Sequence, residues 1–115
     1  MAIVNAIEVN TTTVSPFTNQ AAFSVTQVNV PTAGTPVQAP TIVVPDGMSV
    51  SILADPSNAN NAELFVATSS ANALDPTKRI PLKRGQSVGL LVNNVNLVWL
   101  DASTNNQKAI IVVEG

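Results

Sequence analysis

From Phe23 onward the chain alternates apolar and polar positions over short stretches separated by turn residues. Met48, Val50 and Ile52 fall on one face of an extended segment, with Ser49 and Ser51 on the other. Val88, Leu90 and Val92 are set in the same way against Ser87 and Gly89. A period of two is what a strand with one buried face requires. Leu97-Val-Trp-Leu100 is apolar on both faces, which predicts a central strand or one covered on both sides, with Trp99 in the core. Further candidate strands are Phe23 to Val30, Thr35 to Ala39, Ile42 to Val44, Ser49 to Ala54, Glu63 to Ala67, Arg79 to Leu82, Ser87 to Val92, Leu97 to Asp101 and Ala109 to Val113.

Between them stand Pro31-Thr-Ala-Gly34, Pro45-Asp-Gly47, Asp55-Pro-Ser-Asn58, Lys83-Arg-Gly85, Asn93-Asn-Val-Asn96 and Thr104-Asn-Asn106. These residues turn a chain through preset or left-handed backbone angles and local side-chain hydrogen bonds. Only Ala59 to Ala67 and Ser69 to Leu74 compete as helix, and Asp75-Pro76 ends the second. Eight or nine short strands at spacings of about 8–12 residues predict an all-β fold, a single-domain sandwich or barrel. A jelly roll of about eight antiparallel strands is the expected topology, with residues 21–115 forming the sandwich.

Residues 1–20 differ. Ile3, Ile7 and Val9 share one face if extended, and no turn glycine follows before Thr11-Thr-Thr13 and Ser15-Pro16. The segment reads either as a first strand or as an extended N-terminal arm that adds to a neighbouring subunit. Met1 to Glu8 lacks the basic start and uninterrupted apolar run of a secretory signal.

Composition narrows the chemistry. The 115 residues are 45% hydrophobic but only 10% charged and 3% aromatic, with no Cys, His or Tyr. Val, Ala, Asn, Thr, Ser and Pro fill the chain instead. Without His the commonest general base and metal ligand are missing; without Cys there is no thiolate and no disulfide framework. Asp46 precedes Gly47, and Asp55 and Asp75 precede prolines, which are ordinary turn positions. No carboxylate pair, Ser–Lys dyad, phosphate loop or calcium loop is recognisable, so no enzyme, cofactor or metal is expected. Net charge is −2, and no apolar run reaches the 18 or so residues of a membrane span. Neither nucleic acid nor a membrane is an expected partner.

The charges are segregated. Lys78, Arg79, Lys83 and Arg84 lie within seven positions, leaving one base and all seven acids elsewhere. That segment is either an edge strand protected by charge and Pro81, or a docking patch for an acidic partner.

Thr35-Pro-Val-Gln-Ala-Pro40, Val44-Pro-Asp-Gly-Met-Ser-Val-Ser-Ile-Leu-Ala54, Pro56-Ser-Asn58 and Glu63-Leu-Phe-Val66 form a longer pattern with Arg79-Ile-Pro-Leu-Lys-Arg-Gly-Gln-Ser-Val88 and Leu97-Val-Trp-Leu-Asp-Ala-Ser103. This pattern resembles the small head-decoration, or cement, proteins of tailed bacteriophages. It covers about two-thirds of the chain, consists of strands and turns without a chemical motif, and leaves out residues 1–30. It departs from the family in lacking a glycine near Val66-Ala-Thr68. The resemblance implies a jelly-roll sandwich on a capsid exterior, made in the host cytoplasm. It further implies contact with the major capsid protein and self-association as trimers or symmetric clusters. Lys78, Arg79, Lys83, Arg84, Ile3, Ile7 and Val9 are the candidate partner-binding residues. A receptor- or carbohydrate-binding module of a phage head or tail fibre is the alternative.

Overall fold

A computed structural model of the chain describes residues 23–114. Eight strands, here numbered β1 to β8, run Ser24–Val30, Val37–Gln38, Ser49–Ala54, Glu63–Ala67, Ile80–Lys83, Ser87–Leu90, Trp99–Ala102 and Gln107–Glu114. Among the described residues, one short helix, α1 (Ser70–Ala73), follows β4, and one 3₁₀ turn covers Val95–Leu97.

The strands form two four-stranded antiparallel sheets, ordered β1-β8-β3-β6 and β2-β7-β4-β5. Every connection except β4 to β5 crosses from one sheet to the other, so sequence neighbours rarely pair. This is the jelly roll, two Greek keys wound into a sandwich. Ser49 to Ala54 and Glu63 to Ala67 are strands with the bounds expected from the sequence.

The core lies between the sheets and is almost purely aliphatic. Val50 and Ile52 of β3, Leu64 and Val66 of β4, Leu100 of β7, and Ala109, Ile111 and Val113 of β8 meet there. Strand β8, central in its sheet, alternates buried and partly buried positions from Gln107 to Val113 and ends on the exposed Glu114. Small branched side chains suit a sandwich filled from both inner faces, which is why so few aromatics suffice.

Three expectations change. Ile42 to Val44 forms no strand, because only an isolated bridge joins Val43 to Asn94. The strand expected from Leu97 starts at Trp99, since Asn94 caps a 3₁₀ turn ahead of it and accepts from the Asn96 N–H at 3.0 Å. Trp99 is half-buried on the outer face of its sheet rather than in the core, while Val98 and Leu100 point inward. Apolar residues on both faces of that segment reflect a central strand: β7 lies between β2 and β4, and α1 packs against β4 and β7. The N-terminal arm or first strand expected over residues 1–20 lies outside the described residues.

Candidate functional site

Strand direction sorts the loops into two ends. Residues 31–36, 55–62, 84–86 and 103–106 lie at one end. Residues 39–48, 68–79 and 91–98 lie at the other, with the start of β1 and the end of β8.

The first end is sealed by side-chain amides and carboxylates. The buried Asn58 clamps β8: its Nδ2 donates to the Lys108 carbonyl at 2.9 Å, and its Oδ1 accepts from the Lys108 N–H at 2.8 Å. Gln107 Oε1 accepts from the Ala59 N–H at 2.9 Å, and Asp101 Oδ1 from the Gly34 N–H at 2.9 Å. Asp55 accepts from the Ser57 N–H at 2.8 Å and from Gln27 Nε2 at 2.9 Å. The hydrogen bonds from Ser57 hold the Asp55 carboxyl below the ordinary carboxylate range, helped by Gln27 and Lys108 and opposed by burial. Asp55, Asn58, Asp101 and Gln107 are the buried polar side chains of the described residues, and each has a partner. These bonds tie the loops of this end to the strands through backbone and amide donors.

The second end is the reverse. Phe23, Val25, Val43, Leu74, Ile80, Leu91 and Leu97 are the exposed large hydrophobics among the described residues, and all of them lie there. Leu91 is 90% exposed and Val43 70%. Backbone pairing fixes the loops that carry them: Val44 N–H donates to the Asn93 carbonyl at 3.0 Å, and Val95 N–H to the Ile42 carbonyl at 2.9 Å. Asn94 Oδ1 adds a bond from the Ile42 N–H at 3.1 Å. A tied pair of loops presenting apolar side chains to water is a preorganised contact surface. Beside it, a cleft of about 150 Å³ opens between the edges of β5 and β6, lined by Val66, Ile80, Leu90, Val92, Leu97 and Lys78.

The basic segment divides. Lys78, Lys83 and Arg84 are exposed, and Lys83 Nζ stands 4.0 Å from Glu63 Oε2 across the β4–β5 pair. Arg79 turns onto its own molecule, with its guanidinium 3.5 Å from the Phe65 ring centroid and Nη1 donating to the Ala73 carbonyl at 3.0 Å. It thereby fastens α1 over the outer face of β4. Pro81 and Lys83 lie on the β5 edge, where a missing N–H and a charge both discourage further strand pairing. Ile3, Ile7 and Val9 lie outside the described residues. The apolar end was not singled out from sequence. Val43, Leu91 and Leu97 each sit in a run that reads equally well as buried strand, so no local signal separated them.

Among the described residues, no three His, Cys, Asp or Glu side chains gather where they could share a metal ion, and no helix is long and apolar enough to cross a membrane. No protein-family model matches the chain, and no curated protein matches it. Solved structures do share the fold. An RmlC-like cupin protein from Desulfovibrio desulfuricans superposes with a TM-score of 0.50 at 15% identity, over 80% of this chain and 71% of that one. The IMPa metallopeptidase from Pseudomonas aeruginosa, solved in complex with an O-glycopeptide, gives 0.51 at 21% identity over 84% of this chain. A second IMPa structure, in complex with T-antigen, gives 0.50 at 21% identity over the same share. This chain spans 12% of the IMPa chain. At these identities the likeness is one of fold.

Proposed function

We propose that this chain is a non-enzymatic structural protein of a virion, made in the host cytoplasm, that decorates the outside of an icosahedral capsid. There it cements neighbouring major capsid subunits and associates with its own copies in symmetric clusters. The observation that carries the reading is the gathering, at one end of the sandwich, of the seven exposed large hydrophobics among the described residues. A monomer with nothing to dock against has no reason to concentrate them there. Exposed Lys78 lies at the same end, with Lys83 at the far end of β5 and Arg84 in the turn beyond it, adding positive charge that would steer an acidic partner surface. Around them, a surface of Asn, Thr and Ser forms hydrogen bonds without the desolvation cost of burying charges. Many copies, each touching several subunits, offset a modest affinity per contact.

The test is co-sedimentation with undecorated capsids. The protein should pellet with the shells at a symmetry-related stoichiometry and raise their melting temperature. Leu91→Asp should abolish both without altering the isolated domain. Failure of the wild type to pellet would sink the proposal.

A receptor- or carbohydrate-binding module is the second reading. It is favoured by the likeness to a metallopeptidase solved in complex with an O-glycopeptide and with T-antigen. Saturable binding to a cell-surface glycan, without capsid binding, would select it.

A further inference from the structure

The described chain enters the sandwich at its apolar end, where Phe23 precedes β1 and is 58% exposed. Twenty-two residues come before it, and they hold Ile3, Val4, Ile7 and Val9 but a single charged side chain, Glu8. At the same end, across the sheet, lies the cleft between β5 and β6. Its walls are Val66, Ile80, Leu90, Val92 and Leu97, with Ile80 and Leu97 still 41% and 50% exposed. Lys78 lines it and makes no ion pair within 4.0 Å among the described residues, where Lys83–Glu63 is the pair that forms. The neighbouring cation, Arg79, is committed to Phe65 and Ala73. The cleft therefore offers apolar walls and one positive charge that Asp75 feels electrostatically but does not pair within 4.0 Å, and the preceding segment offers apolar side chains around one negative charge.

We propose that residues 3–9 dock in this cleft of their own molecule, with Ile7 and Val9 against Ile80, Leu90 and Leu97 and with Glu8 toward Lys78. The reach is ample. From β1 to β6 are three strand spacings, about 14 Å at ~4.8 Å each. Val9 precedes Phe23 by fourteen residues, which span up to about 46 Å when extended. An extended backbone puts Ile3, Ile7 and Val9 on one face and Glu8 on the other, so the apolar face can enter while the carboxylate stays at the rim. The proposal does not depend on the capsid reading, and its test contains no capsid.

Because the chain has no cysteine, Asn10→Cys carries a single nitroxide label on the full-length protein. In a dilute ¹⁵N-labelled sample, the amides of Ile80, Leu90 and Leu97 should be broadened and should recover when the nitroxide is reduced. Ile80→Asp should remove the effect. Should that variant unfold, the charge pair decides: Lys78→Glu should lower the docked-to-free ratio about two- to fivefold, and Glu8→Lys added to it should restore the ratio. Three results would overturn the proposal: no broadening at the cleft, no response to Lys78→Glu, or broadening seen only when labelled ¹⁴N chains are mixed with unlabelled ¹⁵N chains. The last would place the segment in a second copy.

Discussion

Replacing Arg79 by alanine should destabilise the fold far more than replacing any other base of the same segment. Its guanidinium stacks on Phe65 at 3.5 Å and donates to the Ala73 carbonyl at 3.0 Å, in a half-buried setting. Cation–π contact is worth about 0.5–1 kcal/mol when exposed and ~2 when desolvated. A hydrogen bond from a charged donor adds about 1.5–3 kcal/mol. These terms share one side chain and overlap, so we expect a net loss of about 2–3 kcal/mol rather than their sum. For a chain of this size that corresponds to a drop in Tm of roughly 8–12 °C. Arg79→Lys should recover little of it, because an ammonium cannot stack flat on the ring while donating sideways. Arg84→Ala, at an exposed turn, should stay within about 0.5 kcal/mol of wild type. Thermal and urea unfolding followed by circular dichroism would measure all three. An Arg79→Ala protein melting with Arg84→Ala would refute the clamp and return Arg79 to the docking surface.

Asp55 has a lowered pKa in the folded state, so its contribution is present above the unfolded value of about 3.9 and lost as pH falls through the folded one. Asp55→Asn should therefore cost about 1–2 kcal/mol at pH 7, with the gap to wild type closing in acid. A gap constant from neutral pH to pH 3 in urea titrations would contradict this. Gly47 has φ +84° with open space where a Cβ would sit, so Gly47→Ala should cost about 1 kcal/mol through backbone strain alone, and Gly47→Asn less. Equal urea midpoints for Gly47 and its alanine variant would show that the turn relaxes. Asn94→Ala removes acceptors for Ile42 and Asn96, should cost about 1 kcal/mol, and should speed hydrogen exchange at Ile42 and Val44. Unchanged exchange there would mean that the backbone pairing holds the two loops together unaided.

Alternation in Ser49 to Ala54 is enough to read that strand from the residues, because a two-residue period leaves only one face to bury. Glu63 to Ala67 is instead apolar from Leu64 onward and buried on both faces, so its strand is read from its length and flanking turns. The same logic fails for Ile42 to Val44. There the apolar run is set by pairing with Asn93 to Val95, fifty residues away in sequence, and no local pattern reports that. Basic residues 78 to 84 were visible as a cluster, yet nothing in their spacing separates Arg79, spent on Phe65, from Lys78 on the cleft.

A small-residue β-sandwich with turns at fixed places is legible in the residues alone, since both follow from side-chain identity and period. Which loops lie together at each end depends on how the strands pair, because all but one connection among the described residues crosses between sheets. That crossing gathers the buried polar side chains at one end and the exposed apolar ones at the other. An apolar residue in a loop looks like a core residue until the loops are brought side by side.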